Sequence, residues 1–419
     1  MLFIYQLIIS VLLLTSPFIL LIRILRKKEN IKSLKEKFSF NSKRRVNGKL
    51  IWFHGASVGE VLSIIPIIKH YEKDKSIKQI LVTSSTLSSL KVINKFNFKK
   101  TIHQFYPIDH FIFNNKFINY WKPSLGIFVD SEIWPMMFQN LKYKNIPIIL
   151  LNARLTKKTF SRWIKIKSFA KSVFNKITIA YPQNKETNLY LKELDVRNII
   201  TIGNLKFSEN SDENLNNISK KLKSELDKKK IWVASSTHKT EEIFCAKAHL
   251  KLKKKITNLL TIIIPRHIHR ANEITNEIKN LNLKIALHSS KPKNLKNVDI
   301  YLVDTFGETK KFHQIGNTVF LGGSIIKRGG QNPLEATRFN CRIMYGPNVD
   351  NFKDIYKYLA KLKLAYKVVN LSQLKNNLNK FLSKKNKSKN AEKKLKKIGN
   401  KILNNIYYEI MKMLKNEYK

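Results

Sequence analysis

The chain has 419 residues, and its 79 Lys or Arg against 29 Asp or Glu give a formal net charge of +50. A hydrophobic content of 43% argues against a disordered chain, and the only two cysteines, Cys245 and Cys341, argue against a disulfide framework or a zinc cluster. The charge favours an anionic partner, namely nucleic acid, anionic lipid or a phosphorylated substrate, although an AT-rich genome also produces a chain crowded with Lys, Asn and Ile.

The first 22 residues carry no charged side chain, and Arg23 opens a basic cluster directly after them. Such a stretch approaches the ~20 residues that an apolar helix needs to cross a bilayer, and no Ala-x-Ala-like cleavage site follows it. The sequence therefore predicts a retained membrane anchor over residues 1–22, with the rest of the chain in the cytoplasm by the positive-inside rule. Gln6 and Pro17 weaken the span, so a helix lying in the membrane interface is the alternative.

A basic, polar linker over residues 23–49 leads into a region where short apolar runs alternate with longer amphipathic stretches. This rhythm is typical of a doubly wound α/β sheet, in which buried parallel strands alternate with helices. It predicts strands at residues 50–53, 80–82, 125–129 and 146–151, and helices around residues 60–71 and 184–194.

The same rhythm begins again in the second half, which predicts two Rossmann-like domains over residues 50–205 and 206–383. The strands predicted there are 231–234, 260–264, 284–287, 299–303, 318–321 and 342–345. Residues 384–419 predict a basic C-terminal helix that either packs on the body of the protein or lies on anionic lipid. Ligands of such sheets bind beyond the C-terminal ends of the strands, where the polar motifs of this chain fall.

The most informative motif is the Gly-rich segment 321–335, in which Gly322-Gly323 and Gly329-Gly330 precede Asn332-Pro333. The Asn-Pro pair predicts the start of a helix with Glu335 just inside it. Glycines let backbone N–H groups approach a phosphate, a helix N-terminus adds partial positive charge, and a carboxylate one turn in accepts hydrogen bonds from ribose hydroxyls. The segment therefore predicts a nucleotide site, with an ordinary turn between strand and helix as the alternative.

Acidic residues follow two predicted strands of the first half. Glu60 stands at a helix start, at the expected mouth of a cleft between the domains, where the helix dipole and partial burial oppose each other in a balance that suits a general base. A simple charge–dipole contact is the alternative. Asp130 and Glu132, beside Trp134, suit a sugar or another hydroxyl-rich ligand. A metal site is discounted, because no second carboxylate or His cluster has ligand spacing.

Cationic and hydroxyl side chains follow the other strands. Arg154 and Lys206 are candidates to neutralise phosphate charge, and Arg266 is a bidentate donor to a phosphate or a base edge by its chemistry. The stretch 235–237 predicts a helix cap whose N–H groups bind phosphate, and the segment 304–308 closes a further strand. The second half therefore predicts a phosphate-binding strand edge.

Together these motifs resemble the 3-deoxy-D-manno-octulosonic acid (Kdo) transferases of lipopolysaccharide assembly, which are inverting glycosyltransferases. The motifs match in order and spacing over nearly the whole chain: HGASVGE, SEIWP, NARL, GNLKF, SSTHxxEE, PRHxxR, DTFGE and GGQNPLE. The resemblance implies an α/β protein of the GT-B fold, in which two Rossmann-like domains face a cleft and an anchor helix precedes them. The N-terminal domain would then bind the acceptor, and the C-terminal domain the CMP-sugar.

Residue roles follow from this resemblance. It makes Glu60 the general base that deprotonates the acceptor hydroxyl, and Glu132 and Lys206 stabilisers of the transition state. It implies substrate- or CMP-binding roles for Pro265, Arg266, Phe306, Gly307, Glu308, Asn332, Pro333, Leu334 and Glu335. The chain also departs from the family: Gln331 and Asn348 each replace a usual His, Ile268-His269 replace a Pro-Glu pair, and Ala336-Thr337 lacks a usual Pro.

The reaction implied is transfer of Kdo from CMP-Kdo to a lipid A precursor, lipid IVA, at the cytoplasmic face of the bacterial inner membrane, without a metal or other cofactor. Another membrane-associated GT-B glycosyltransferase that uses a UDP- or ADP-sugar is the alternative. A nucleic-acid-binding protein would interleave aromatic residues with Lys and Arg, whereas the aromatic residues here fall largely within apolar strand runs, so nucleic acid is not an expected partner. An inactive scaffold protein is a further alternative, and Glu60→Ala would change nothing in it.

Overall fold

The computed structural model describes residues 1–26, 29–208, 218–292, 294–383 and 390–415, and it leaves the side chains of residues 19–21 undescribed. The chain divides into two units. Unit 1 comprises Met1–Glu209 and Lys397–Lys419, and unit 2 comprises Asn210–Lys396. Each unit contains its own parallel sheet, as the alternation of apolar and amphipathic runs predicts.

Unit 1 is built on a six-stranded parallel sheet with the order β3-β2-β1-β4-β5-β6. The strand order reverses beside β1, which is the position where α/β sheets bind ligands at the C-terminal ends of their strands. The strands are β1 Lys49–His54, β2 Ile77–Ser84, β3 Thr101–Phe105, β4 Leu125–Val129, β5 Ile148–Ala153 and β6 Ile179–Pro182.

Helices cover both faces of this sheet, which is why its strands are almost wholly buried. They are α1 Leu2–Leu25, α2 Ile31–Lys37, α3 Val58–Lys73, α4 Leu87–Ile93, α5 Phe111–Trp121, α6 Pro135–Tyr143, α7 Lys157–Ile164, α8 Lys167–Phe174 and α9 Lys185–Glu193. A short 3-10 helix, Leu205–Ser208, follows near the end of the unit.

Unit 2 is built on a seven-stranded parallel sheet with the order β13-β12-β11-β7-β8-β10-β9. Its strands are β7 Lys230–Thr237, β8 Leu259–Pro265, β9 Ile285–Leu287, β10 Ile300–Leu302, β11 Thr318–Leu321, β12 Arg342–Tyr345 and β13 Ala365–Lys367. Its helices are α10 Lys220–Asp227, α11 Glu241–Lys253, α12 Ala271–Lys279, α13 Thr309–Ile315, α14 Leu334–Arg338, α15 Lys353–Lys361 and α16 Leu371–Leu382.

The predicted strands all lie in these two sheets, and the structure adds β3, β6 and β13. The apolar pattern of β3 is interrupted by His103 and Gln104, which are buried in the fold. The other two strands are short and include Pro182 and Lys367, residues that are not typical of a buried strand.

The stretch predicted as a polar linker contains helix α2, which packs beside the edge strand β3. Asn30 caps this helix by accepting a hydrogen bond from the Ser33 N–H at 2.7 Å. Glu36 is buried and accepts a hydrogen bond from the Phe105 N–H at 2.8 Å. Glu29 is also buried, and it pairs with Arg23 at 2.9 Å and with Lys37. These paired carboxylates fix α2 to unit 1.

Helix α1 is attached to unit 1 by polar side chains near its start. The Tyr5 hydroxyl donates to Asp109 at 2.9 Å, and the Phe111 N–H donates to Gln6 at 3.2 Å. Phe3, Leu14 and Phe18 of this helix are more than 70% exposed. Among the residues described, no helix has both the length and the apolar character that crossing a membrane requires.

The last helix, α17, spans Ala391–Leu414. Ile402, Ile406, Ile410 and Met413 are buried in the core of unit 1. Two arrangements were predicted for the C-terminal helix, packing on the body of the protein or lying on anionic lipid. The structure shows the first of them. The remainder of that predicted segment, residues 384–389 and 416–419, lies outside the described residues.

Candidate active site

Glu60 lies in the first turn of α3, directly beyond the C-terminal end of β1. It forms a capping box with Ser57: the Glu60 N–H donates to the Ser57 hydroxyl at 3.4 Å, and the Ser57 N–H donates to the Glu60 carboxylate at 3.1 Å. Burial and then the charge of Glu132 raise the pKa of Glu60 to about 7, although hydrogen bonds from the backbone of Ser57 and Ala56 oppose the rise. This pKa lies in the range that suits a general base at neutral pH.

Glu132 is held in place by two ring nitrogens. One of its carboxylate oxygens is 2.9 Å from Trp134 Nε1 and 3.1 Å from His54 Nε2. His54 is fully buried, stacks on Tyr106 with ring centroids 3.8 Å apart, and places its Nδ1 3.0 Å from the Thr83 hydroxyl. Because its donors are themselves packed, the carboxylate has a defined position, although 14% of its side chain is exposed.

Asp130 directly follows β4, and Asn152 is the last residue but one of the neighbouring strand β5. Both have left-handed backbones, with φ values of 58° and 53°. The Asn152 amide donates to the Asp130 carboxylate at 2.5 Å. Burial raises the pKa of Asp130, while the charges of Lys206 and Arg154 oppose this rise. Left-handed conformations of residues other than glycine cost energy and are concentrated at functional sites.

These contacts place the predicted residues of the first half in one cluster. The charges of Glu132 and Asp130 both raise the pKa of Glu60, and the charge of Lys206 acts on Asp130. Unit 1 therefore combines a carboxyl group that titrates near neutral pH with two further carboxylates and a cation. His54 was not predicted as a site residue. The sequence did contain a signal for it, because His54 is a polar residue at the end of an apolar strand.

Unit 2 contains a cavity of about 610 Å³ beyond the C-terminal ends of its central strands. Cavities of this volume hold nucleotide-sized ligands. Its lining consists of Ser235, Ser236, Arg266, Gly307, Glu308, Thr309, Lys310, Lys311, His313, Leu321, Gln331, Asn332 and Glu335. Five of the predicted CMP-binding residues are among them: Arg266, Gly307, Glu308, Asn332 and Glu335.

The other four predicted CMP-binding residues do not line this cavity. Pro265 is the buried last residue of β8, and Phe306 is 88% exposed on the adjoining loop. Pro333 and Leu334 are buried at the start of α14, where the Leu334 N–H donates to Asn332 at 3.1 Å. The helix therefore begins one residue later than predicted, because Pro333 occupies the N-cap and Leu334 is the first of its five residues.

Cations line the cavity beside its carboxylates. Arg266 lies beyond β8, and Lys310 and Lys311 lie in the first turn of α13. Lys311 pairs with Glu308 at 2.9 Å. Such a lining suits an anionic ligand that also carries hydroxyl groups. The residues of α13 were not predicted to line a binding site. Thr309 and His313 are four positions apart, a spacing that places both on one helix face, and this spacing could have identified them.

The N–H groups of the Gly-rich loop bind a carboxylate of the protein rather than the predicted phosphate. Fully buried Glu241 accepts hydrogen bonds from the N–H groups of Gly323 at 2.6 Å, Ser324 at 3.0 Å and Ile325 at 3.0 Å. It also accepts one from the His238 N–H at 3.0 Å. The Gly322 N–H donates to the Ser235 carbonyl oxygen at 2.9 Å. Both N–H groups of this first glycine pair are therefore paired within the protein, and the prediction that they bind a phosphate was wrong.

The predicted helix cap at residues 235–237 was also wrong. Strand β7 continues through Thr237, and helix α11 begins only at Glu241. Its N-cap is Thr240, whose side chain makes no capping hydrogen bond and whose φ is 79°. The turn between β7 and α11 is stabilised instead by Glu241, which accepts hydrogen bonds from the N–H groups of the Gly-rich loop.

Glu241→Ala should destabilise the protein by at least about 3 kcal/mol, because it leaves several buried N–H groups unpaired at ~1–3 kcal/mol each. Calorimetric unfolding measures the change. Glu273→Ala is the control, since Glu273 pairs with Arg270 and Lys239 at the surface of the same unit and its loss should change stability little. Equal effects of the two substitutions would contradict the role assigned to Glu241.

Within the described residues, no group of three or more His, Cys, Asp and Glu side chains has the arrangement of a metal site. The charged groups of both units are arranged instead as carboxylates beside Lys and Arg, as at Glu308 and Lys311.

The comparisons with known proteins agree with the motifs. A family model described as 3-deoxy-D-manno-octulosonic-acid transferase (kdotransferase) matches residues 32–209. The 3-deoxy-D-manno-octulosonic acid transferase of Rickettsia bellii is 34% identical over 383 residues, which cover 90% of either chain. That of Haemophilus influenzae is 29% identical over 316 residues, covering 75% of this chain and 74% of the relative.

A solved structure shows the same fold at low sequence identity. The UDP-GlcNAc 2-epimerase of Neisseria meningitidis, bound to UDP-GlcNAc, is 12% identical with a TM-score of 0.58, covering 88% of this chain and all of that one. The α/β class with two parallel sheets and the GT-B fold predicted from the sequence are therefore confirmed.

Proposed function

The chain belongs to the 3-deoxy-D-manno-octulosonic acid (Kdo) transferase family, and we propose on that basis that it transfers Kdo from CMP-Kdo to a lipid A precursor, lipid IVA. The observation that carries this proposal is the charge arrangement of the two units. Unit 1 presents Glu60 with a pKa of about 7, and unit 2 presents a nucleotide-sized cavity lined by cations and carboxylates. These are the groups that an inverting sugar transfer from a nucleotide requires.

The donor nucleotide binds in the cavity of unit 2. Arg266, Lys310 and Lys311 face the phosphate of CMP, which becomes the leaving group and gains negative charge as the glycosidic bond breaks. Glu335 accepts hydrogen bonds from the ribose hydroxyls, and Asn332 lines the cavity beside it. Pre-positioned cations stabilise the leaving phosphate more in the transition state than in the ground state, which accelerates bond cleavage.

Glu60 of unit 1 acts as the general base. With a pKa of about 7, close to half of its carboxyl groups are ionised at neutral pH and can accept the proton of the acceptor hydroxyl. The deprotonated oxygen attacks the anomeric carbon as CMP leaves from the opposite face, which inverts the configuration. Glu132 and Lys206, held with Asp130 beside Glu60, stabilise the charges that develop in the transition state.

The reaction requires no divalent metal, because side-chain cations carry out the charge neutralisation that a metal ion would otherwise supply. Transfer should therefore keep its rate in excess EDTA. Loss of activity in EDTA that returns on adding Mg²⁺ would contradict this part of the proposal.

The acceptor is acylated and phosphorylated, and we place the protein on the cytoplasmic face of the bacterial inner membrane. The net charge of +50 supports this location, since each Lys or Arg near an anionic membrane surface contributes about 1 kcal/mol. Helix α1 supports it as well, because Phe3, Leu14 and Phe18 are exposed apolar side chains on an element fixed to unit 1.

Binding of labelled nucleotides tests the donor. CMP should bind to the full-length protein, and UDP and ADP should compete weakly with it. Tighter binding of UDP or ADP than of CMP would favour the alternative, a GT-B glycosyltransferase that uses a different sugar nucleotide.

A further inference from the structure

His313 is a buried histidine in the wall of the unit 2 cavity. It lies on α13, and only 2% of its surface is exposed. Its Nε2 is 3.1 Å from the Ser235 hydroxyl, at the end of β7. Its Nδ1 has no hydrogen-bond partner and lies 3.7 Å from a carboxylate oxygen of Glu335, on α14. The ring therefore bridges three elements that all line the same cavity.

The protonation of this ring follows from its surroundings. Burial lowers the pKa of His313 to about 3, so the imidazole is neutral and carries a single N–H. If Nε2 carried the proton, the lone pair of Nδ1 would face the Glu335 carboxylate, which is a repulsive arrangement. If the Ser235 hydroxyl donates to Nε2, the proton resides on Nδ1 and points towards Glu335. The second tautomer is favoured by electrostatics.

A buried Nδ1–H without an acceptor is costly, because an unsatisfied polar group loses its hydration and gains nothing in return. Such exceptions in a folded protein call for an explanation, and a catalytic or binding role is a common one. The gap of 3.7 Å is too long for a hydrogen bond, yet a small rotation of the Glu335 side chain, which is 38% exposed, closes it. Ligand binding at Glu335 provides a reason for that rotation.

We propose that His313 is a positioning residue for Glu335: its Nδ1–H, aligned by Ser235, fixes the carboxylate that accepts the hydroxyls of the nucleotide ribose. The inference rests on the proposed function, in which CMP occupies the cavity and Glu335 binds its ribose. A carboxylate that receives two hydroxyls must be held in one orientation, and an N–H donor at one of its oxygens fixes that orientation.

Three substitutions separate this role from simple packing. In His313→Asn the side-chain amide places an N–H near the position of Nδ1, so the contact to Glu335 is kept. In His313→Gln the amide reaches the position of Nε2 and Ser235 instead, and the contact to Glu335 is lost. In His313→Phe the ring volume remains without either nitrogen. Glu335→Gln tests the carboxylate itself.

The experiment measures the dissociation constants of CMP and 2′-deoxy-CMP for the full-length protein and each variant, with thermal unfolding as a check on folding. The wild type should prefer CMP by about tenfold, the value of one charge-assisted hydrogen bond. His313→Asn should keep most of this ratio, whereas His313→Gln and His313→Phe should lower it to about threefold or less. If a His313 variant fails to fold, Ser235→Ala, which frees the tautomer, should lower the ratio in its place.

The outcomes distinguish the two proposals. If the wild type does not bind CMP, or if Glu335→Gln leaves the ratio unchanged, the proposed nucleotide site fails and the role of His313 fails with it. If Glu335→Gln removes the preference for CMP but folded His313→Gln and His313→Phe retain it, only the role of His313 is overturned. If the ratio falls in both of these variants and survives in His313→Asn, the positioning role is supported.

Discussion

Glu60→Gln should lower kcat for Kdo transfer by about 10²- to 10⁴-fold, which is the usual contribution of a general base. The amide keeps the shape of the side chain and can still accept the hydrogen bond from the Ser57 N–H, so the capping box at the start of α3 survives. It cannot accept a proton from the acceptor hydroxyl. The loss should therefore appear in kcat, while CMP binding stays close to that of the wild type and the variant stays folded.

Glu186→Gln is the matched control, because Glu186 is an exposed glutamate in the first turn of another unit 1 helix. It should transfer Kdo at the wild-type rate. Transfer by Glu60→Gln at more than about a tenth of the wild-type rate would remove Glu60 from the role of base.

The pH profile provides a second check on Glu60. With a pKa of about 7, activity should rise as the pH increases through 7, because the ionised carboxylate is the active form. Since the charge of Glu132 contributes to this raised pKa, Glu132→Gln should move the rising limb of the profile to lower pH. A rising limb near 4.5, the ordinary value for Glu, would contradict the assignment.

The raised pKa of Glu60 also makes the free energy of unfolding depend on pH. The folded-state pKa of Glu60 lies above its ordinary value of 4.5, so the folded protein binds more protons than the unfolded chain between pH 4.5 and about 7. The contribution of Glu60 to stability therefore falls as the pH rises through that interval. Glu60→Gln, which cannot ionise, should lessen this fall in the free energy of unfolding.

Arg266→Ala should lower kcat/KM for CMP-Kdo by about 10²- to 10³-fold, because it removes a cation from the leaving phosphate. Arg266→Lys should restore only part of this loss, since the ammonium keeps the charge but not the two parallel N–H donors. Lys279→Ala, at the exposed end of α12, removes a positive charge from the same unit outside the cavity and should change little. Steady-state kinetics at varied CMP-Kdo concentration measure all three variants.

Equal losses in Arg266→Ala and Lys279→Ala would mean that overall charge, rather than a contact at the cavity, determines donor use. Unchanged kinetics in Arg266→Ala would remove this arginine from the donor site.

Much of the fold could be predicted because its strands are buried on both faces. Such strands form continuous apolar runs, as in Leu125–Val129 and Thr318–Leu321, and both lie where the sequence predicts them. The candidate site residues follow these runs, so the topology alone brings Glu60, Glu132 and Asp130 to one edge of a sheet.

The parts that could not be predicted depend on pairs of residues that are distant in sequence. Glu241 binds the N–H groups of a loop more than 80 residues away, and His54 contacts Glu132 across 78 positions. Periodicity and capping preferences describe neighbours within a few residues, so they carry no information on such pairs. For this reason the Gly-rich loop was interpreted as a phosphate cradle when its donors already had a partner.

The left-handed backbone conformations near the strand ends could not be predicted from the sequence either. Asp130, Asn152 and Ser236 have left-handed φ values of 58°, 53° and 55° at or near the ends of β4, β5 and β7. None of the three is glycine, and although Asp and Asn are enriched in this conformation, most of them do not adopt it, so residue type does not locate the turns. The surrounding hydrogen bonds stabilise it, as in the bond from Asn152 to Asp130.

The most direct test of the proposed function is a transfer assay with the purified full-length protein, CMP-Kdo and lipid IVA in mixed micelles, in which mass spectrometry follows the lipid product. The proposed function predicts a lipid product that carries Kdo, with release of CMP, and no product from Glu60→Gln over the same time. The absence of a Kdo-bearing lipid in the wild-type reaction, or its formation at the same rate by Glu60→Gln, would contradict it.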